Sequence, residues 1–236
     1  MRKQKIKTWS TLGRESFEEK SRPISALIKY DSKNTKSKKI GKIRTKIKNN
    51  KKPNCAIIGA GVFSNEVLIP NLLKIPDLCK LNYLCVKKPI SALNLSHQNK
   101  NIEVTTNYNQ ILKNKNIDTI FISTRHNLHY KIIIESIKYK KNIFVEKPMC
   151  TKPEELKSLK KMVKKNPNSI IVSGFNRRFS KSAKIMKEFI ESQNNPVFLN
   201  YTVNADQLDK SSWVYTKEGG GRNIGEACHF YDLILY

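Results

Sequence analysis

The chain has 236 residues, enough for one large domain or two modest ones. Its composition, 39% apolar and 27% charged, is that of a soluble globular protein, and no run of ~18 uncharged apolar residues exists to build a membrane-spanning helix. The net charge of +26, from 45 basic and 19 acidic residues, first suggests a nucleic acid or an anionic surface as partner.

Residues 1–52 carry 18 Lys/Arg and 4 Asp/Glu, so over half of the excess charge sits in under a quarter of the chain. Within them SRPISALIKY reads as a short strand or docking segment, and DSKNTKSKKIGKIRTKIKNNKK as a solvated linker. The segment is a basic arm or the remnant of an upstream domain. The remaining Lys is scattered among abundant Asn and Ile, a mix that background codon composition explains as well as a polyanion site does. No nucleic-acid recognition motif accompanies the charge, which ranks nucleic-acid binding last among the readings. The opening MRKQKIKTWS lacks the apolar core of a signal peptide, so the chain reads as cytoplasmic.

The character changes at Asn54. CAIIGAG is a buried strand meeting a glycine turn, followed by the helically spaced FSNEVLIPNLLKI. LNYLCV is a second strand candidate, NYNQILKN a short helix, and DTIFIST a third strand rich in β-branched and aromatic residues. HYKIIIESIKYKK is a helix and NIFVEKP a fourth strand. PEELKSLKKMVKKN is a helix that opens with proline and acids, as helix N-termini prefer. SIIVSGF is a fifth strand. Strands alternating with helices predict a Rossmann-type, doubly wound parallel sheet over 53–176. Past it, SAKIMKEFIES is helical, PVFLNYTVNA is an extended strand of different rhythm, and GGGRNIGEACHFYDLILY turns through glycines into an apolar helix. Residues 177–236 thus read as the start of an incomplete α+β domain, and the bare apolar end suggests a chain truncated at its C-terminus.

The chemistry-bearing residues fall where strands become helices. Gly59-Ala60-Gly61-Val62-Phe63-Ser64 follows a strand and opens a helix, as the dinucleotide fingerprint requires. Gly59 would permit the turn and Gly61 the approach of a pyrophosphate, while Ser64 stands where a third glycine is usual; a ligand-free βα turn is the competing reading. The second strand runs into Lys87 and Lys88 with no acid to bond a ribose hydroxyl, which favours NADP over NAD, unless these are two surface lysines of a Lys-rich protein. Glu146-Lys147-Pro148 ends a strand, where a lysine can donate to a substrate hydroxyl and Glu146 can orient it. Thr124-Arg125-His126-Asn127-Leu128-His129 holds two of the four histidines, and His229 lies three residues before Asp232 on one helical face. Taken singly, each histidine is more often a core or capping residue. The five cysteines make no CxxC pair and no metal spacing, so they read as small core residues in a reducing compartment.

In order, GAGVFS, TRHNLH, VEKP, GFNRRF and GGGRNIGEACHFYD resemble the Gfo/Idh/MocA oxidoreductase family over about Asn54 to Tyr236, and most closely its bi-domain oxidoreductases. The resemblance implies an NAD(H)- or NADP(H)-binding Rossmann domain, a C-terminal α/β domain that binds substrate, and homo-oligomers in the full-length family. It implies that Lys147 is catalytic and contacts substrate, and that His229 is the general acid/base. It places Thr124, Arg125, His126, Asn127, His129 and Glu146 around the nicotinamide, and Asn176 and Arg177 at the domain junction near cofactor and substrate. The implied chemistry is hydride transfer between the nicotinamide and a carbinol carbon of a sugar or sugar nucleotide, in sugar or polysaccharide metabolism. Two departures stand out. Many members carry aspartate where this chain has Gly225, so Glu226 would partner His229 only by turning inward. Members also continue well beyond this motif. A catalytically silent nucleotide-binding remnant or regulatory protein is therefore the alternative reading.

Overall fold

The structure, a computed structural model, describes residues 52–92, 101–193 and 195–236; the docking segment, linker and basic arm read in residues 1–51 lie outside the described residues. Six strands form one sheet: β1 (Asn54–Ile58), β2 (Lys80–Cys85), β3 (Glu103–Thr105), β4 (Thr119–Ile122), β5 (Asn142–Val145) and β6 (Ile171–Ser173). Every ladder is parallel and the spatial order is β3-β2-β1-β4-β5-β6. That is the order of the dinucleotide-binding fold, in which the chain reverses direction of travel between β1 and β4 and opens a crevice at the strands' C-terminal ends.

β1 shows why the sheet is covered on both faces. Ile57 packs with Leu81, Leu84, Val86 and Ile69 on one side. Its neighbours Ala56 and Ile58 join Ile120, Ile122, Ile133, Ile143 and Val145 on the other. Successive residues of a strand point to opposite faces, so a strand buried on both reads as a continuous apolar run. The helices are α1 (Ile69–Leu73), α2 (Tyr108–Lys113), α3 (His126–Lys138), α4 (Pro153–Lys165), α5 (Lys181–Glu191) and α6 (Cys228–Leu235). A π-helical turn leads into each of α1 (Ser64–Leu68) and α6 (Asn223–Ala227). The α4 start follows its sequence: Pro153 takes the first turn, and the Glu155 carboxylate accepts from the Thr151 and Lys152 N–H groups at 3.1 and 3.3 Å.

Two expectations are corrected. β3 is a strand that the sequence did not announce; at three residues it sits on the sheet edge beside β2. PVFLNYTVNA, expected as a strand, belongs to none: residues 196–205 are exposed and carry no ladder. Its β-branched and aromatic residues favour a pleated surface only where a neighbouring strand supplies one, and among the described residues none lies beside it. No described helix is long and apolar enough to cross a membrane.

Candidate active site

β1 ends at Ile58 and the chain turns at Gly59, whose φ of +105° suits glycine alone. Its N–H donates to the Cys85 carbonyl at 2.9 Å, and a Cβ there would come within 2.4 Å of the Ser123 carbonyl oxygen. The turn is thus clamped between the ends of β2 and β4. Ser64 is fully buried and donates its hydroxyl to the Gly59 carbonyl at 2.9 Å. It therefore shapes the loop from behind and does not line the cleft, a correction to its reading as a cofactor contact. Gly61 differs: a Cβ built on it would meet nothing within 4 Å. The loop's outer surface is open, leaving backbone that a phosphate can approach.

Above this loop lies a cleft of about 1010 Å³ along the C-terminal edges of β1, β2 and β4. Gly59, Gly61, Lys87, Thr124, Arg125, His126, His129, Glu146, Lys147, Asn176 and His229 all line it, so eleven residues singled out in the sequence meet in one cavity. Glu146 is the one carboxylate among its lining residues, which also include Lys87, Lys88, Arg125, Lys131 and Lys147. A bare glycine loop, a positive wall and room for an extended ligand fit a nicotinamide dinucleotide.

At the end below β5 and β6, Lys147 donates from Nζ to the Gly225 carbonyl at 2.6 Å. His229 lies within reach of its charge. Burial first, then the Lys147 and Arg177 cations, push the His229 imidazole down to about 4, against a small opposing pull from Asp232. Its Nδ1 is buried with no partner. Glu146 is pushed up to about 7 by burial, opposed by the Lys147 charge and a backbone N–H. Gly174 makes room for it: a Cβ there would fall 2.7 Å from the Glu146 Oε1.

The two histidines of the β4–α3 junction differ. His129 is fully buried, with Nδ1 2.8 Å from the Pro148 carbonyl and Nε2 3.0 Å from the Thr124 carbonyl. The neutral ring has one N–H and donates it to one of these carbonyls, packed between the two loops that carry Thr124 and Lys147. His126 lines the cleft with Nδ1 2.8 Å from the Gly219 carbonyl. Trp213 stands edge-on to its ring at 4.8 Å, and the Arg125 guanidinium lies 4.1 Å over the Trp213 ring.

Besides Ser64, three expected residues do not reach the cleft. Glu226 turns to Arg222, Oε2 to Nε 2.8 Å, instead of inward to His229. Asn127 is exposed, its N–H donating to the Glu218 carbonyl at 3.1 Å. Arg177 is exposed and lies over the Phe230 ring at 4.8 Å. Asp232, on one helical face with His229, is held instead by both Nε and Nη2 of Arg178. Trp213 and Tyr108 line the cleft without having been signalled, except that Trp213, one of two tryptophans in the chain, stands before the glycine run.

The family model of the oxidoreductase family with an NAD-binding Rossmann fold, GFO_IDH_MocA, matches residues 53–174. The chain belongs to the Gfo/Idh/MocA oxidoreductase family. Among curated relatives of this family, the uncharacterized oxidoreductase YrbE of Bacillus subtilis is 30% identical over 185 residues, covering 76% of this chain and 52% of that protein. Myo-inositol 2-dehydrogenase of Thermotoga maritima is 26% identical over 129 residues, 54% of this chain and 38% of its own length. The crystal structure of myo-inositol 2-dehydrogenase from Lactobacillus plantarum superposes with a TM-score of 0.56 at 28% identity, over 60% of this chain and 41% of that one. The chain spans about half the length, or less, of these Gfo/Idh/MocA relatives.

Proposed function

We propose that this chain acts as a nicotinamide-dependent oxidoreductase on a hydroxyl-bearing carbon of a sugar, sugar nucleotide or cyclitol, the last being the substrate class named by two inositol dehydrogenase relatives. In this reading residues 53–176 hold the dinucleotide and 177–236 begin the substrate-binding part. The observation that carries it is the convergence of Lys147 and His229 in the one cleft that the Gly59–Gly61 loop also lines. Gly61 and the lysines at the end of β2 would hold the dinucleotide, and Lys87 with Lys88 favours a 2′-phosphate. When bound, that group supplies the hydride acceptor or donor. Lys147 directs an ammonium at the substrate oxygen and stabilises negative charge there, and His229 is neutral at pH 7 and so able to take a proton.

The test is fluorescence titration with NADH and NADPH, followed by turnover of NAD and NADP against a panel of cyclitols, sugars and sugar nucleotides. Turnover in wild type, and its loss in Lys147→Ala with dinucleotide affinity kept, supports the assignment. A Lys147→Ala variant as active as wild type removes the mechanism. A second reading, a dinucleotide-binding protein without turnover, is favoured by the buried, unpartnered Nδ1 of His229 and the outward turn of Glu226. Binding without turnover across the whole panel would select it.

A further inference from the structure

Glu146 is the one carboxylate that lines the cleft, and the topology fixes which part of the cleft it lines. In the dinucleotide fold the strands divide into two mononucleotide-binding halves, and the pyrophosphate crosses at the glycine loop after the first strand. With the order β3-β2-β1-β4-β5-β6, the end of β2 takes the adenosine half, and the ends of β4 and β5 take the nicotinamide half. Glu146 directly follows β5, and its N–H donates to the Ile122 carbonyl at the end of β4 at 2.9 Å. The residue therefore stands where the nicotinamide ring would lie.

The carboxyl group is held in place without a counter-ion. Gly174, just past β6, lies against it, and any side chain there would displace it, since a Cβ would fall 2.7 Å from Oε1. Lys147, next in the chain, turns Nζ to the Gly225 carbonyl at 2.6 Å, and no ion pair holds Glu146 among the described residues. The groups around it are few. Lys147 acts on it through its charge and its backbone N–H. On α3, His129 meets the Glu146 backbone, and on α6, His229 feels the same lysine. Burial outweighs Lys147 and raises the carboxyl to about 7, so its charge changes within the working range of pH.

We propose that Glu146 sets which redox form of the dinucleotide this site prefers: ionised, it favours the oxidised form, and protonated, the reduced form. The inference rests on the oxidoreductase reading above. A nicotinamide ring is cationic when oxidised and neutral when reduced. A carboxylate beside it attracts the first and is indifferent to the second. Once protonated, it leaves the Lys147 cation uncompensated, and that charge opposes the oxidised ring. An opposite charge within about 4–6 Å shifts such an equilibrium by about 1–3 pKa units, which is about 10- to 10³-fold in affinity. Coupling is reciprocal: the oxidised ring drives a proton off Glu146 into solvent, and affinity for that form rises with pH. Affinity for the reduced form stays level.

The test is the pH dependence of binding to the full chain, read without turnover. Dissociation constants of NAD, NADH, NADP and NADPH are measured by calorimetry between pH 6 and pH 8.5, in wild type and in Glu146→Gln, which keeps the shape of the acid without its charge. For whichever pair binds, the ratio of oxidised to reduced Kd should fall by about tenfold or more across this range in wild type. In Glu146→Gln the ratio should stay level. Ionisation of the ligand phosphates is common to both redox forms and cancels in the ratio. Repeating the oxidised-form titration at pH 7 in buffers of different ionisation enthalpy should show proton release in wild type and none in Glu146→Gln. A wild-type ratio level within about threefold overturns the inference, and so does a Glu146→Gln ratio that falls as in wild type. If no dinucleotide binds at any pH, the oxidoreductase reading fails and this inference falls with it. Binding with a level ratio sinks the redox assignment alone.

Discussion

Glu146 makes the stability of the ligand-free protein depend on pH in a way that one substitution can isolate. Burial raises its carboxyl to about 7 from an ordinary 4.5. A raised acid binds its proton more tightly in the folded state than in the unfolded one. Below pH 4.5 both states are protonated and the group adds no penalty. Between pH 4.5 and 7 the unfolded chain ionises first, and stability falls as pH rises; above pH 7 the loss is complete. The difference between about 7 and 4.5, at ~1.4 kcal/mol per unit, amounts to about 3 kcal/mol, and residual solvent contact lowers this to about 2–3 kcal/mol. Glu146→Gln keeps the shape of the protonated acid without its charge. It should match wild type at pH 4.5 and exceed it by about 2–3 kcal/mol at pH 8. With a urea m-value of ~2 kcal/mol/M, the midpoint rises by about 1–1.5 M at pH 8 alone. Equal midpoint shifts at pH 4.5 and pH 8 would refute the reasoning, because they would mean that packing and not ionisation governs this site.

Three further outcomes follow from the same geometry. Gly59→Ala forces a side chain onto a φ of +105° and into the Ser123 carbonyl, so it should cost about 2 kcal/mol or more in urea unfolding and weaken NADH binding in fluorescence titration; unchanged values of both would sink the clamp described for this turn. His129→Leu removes the one N–H that the neutral ring gives to either the Pro148 or the Thr124 carbonyl and should destabilise by about 1–3 kcal/mol; a loss under ~0.5 kcal/mol would show that these contacts are incidental. Asp232→Asn removes the carboxylate that both Nε and Nη2 of Arg178 use to tie the turn Asn176–Phe179 to α6. With the Arg178 side chain 37% exposed, the expected loss is about 1–3 kcal/mol by urea denaturation, and no loss would mean that the pair is solvent-screened.

Much of this molecule is legible because its central strands are buried on both faces. CAIIGAG, DTIFIST and NIFVEKP announce themselves as apolar runs, and each ends in the residues that line the cleft, so strand ends and motifs point to the same place. β3 was not legible, because Glu103–Thr105 is an edge strand too short to show a period. PVFLNYTVNA misled for the complementary reason: its composition suits a strand, but a strand is made by its neighbours. Within the site, residue types and strand ends located Lys147, Glu146 and the histidines. Side-chain direction was not legible. Glu226 and Asp232 stand near His229 in sequence, yet arginines at positions 222 and 178 capture both. Trp213 and the Gly219 carbonyl reach His126 across some ninety residues, a distance that no local spacing encodes.

Among the described residues the basic groups are of two kinds. Lysines on the outer faces of α4 and α5 sit in solvent, where charge is screened within ~10 Å and codon background explains it well enough. The cleft wall is different: Lys87, Lys88, Arg125, Lys131 and Lys147 line it along with one carboxylate, Glu146, whose proton affinity burial raises. Low-dielectric walls focus such a field, and an anionic ligand entering there meets attraction along its length. The part of the positive charge that lines the cleft would therefore act at the scale of one dinucleotide. The Gly59–Gly61 end would hold its phosphates, while at the far end burial first, and then the Lys147 cation among other charges, lowers the proton affinity of both His126 and His229.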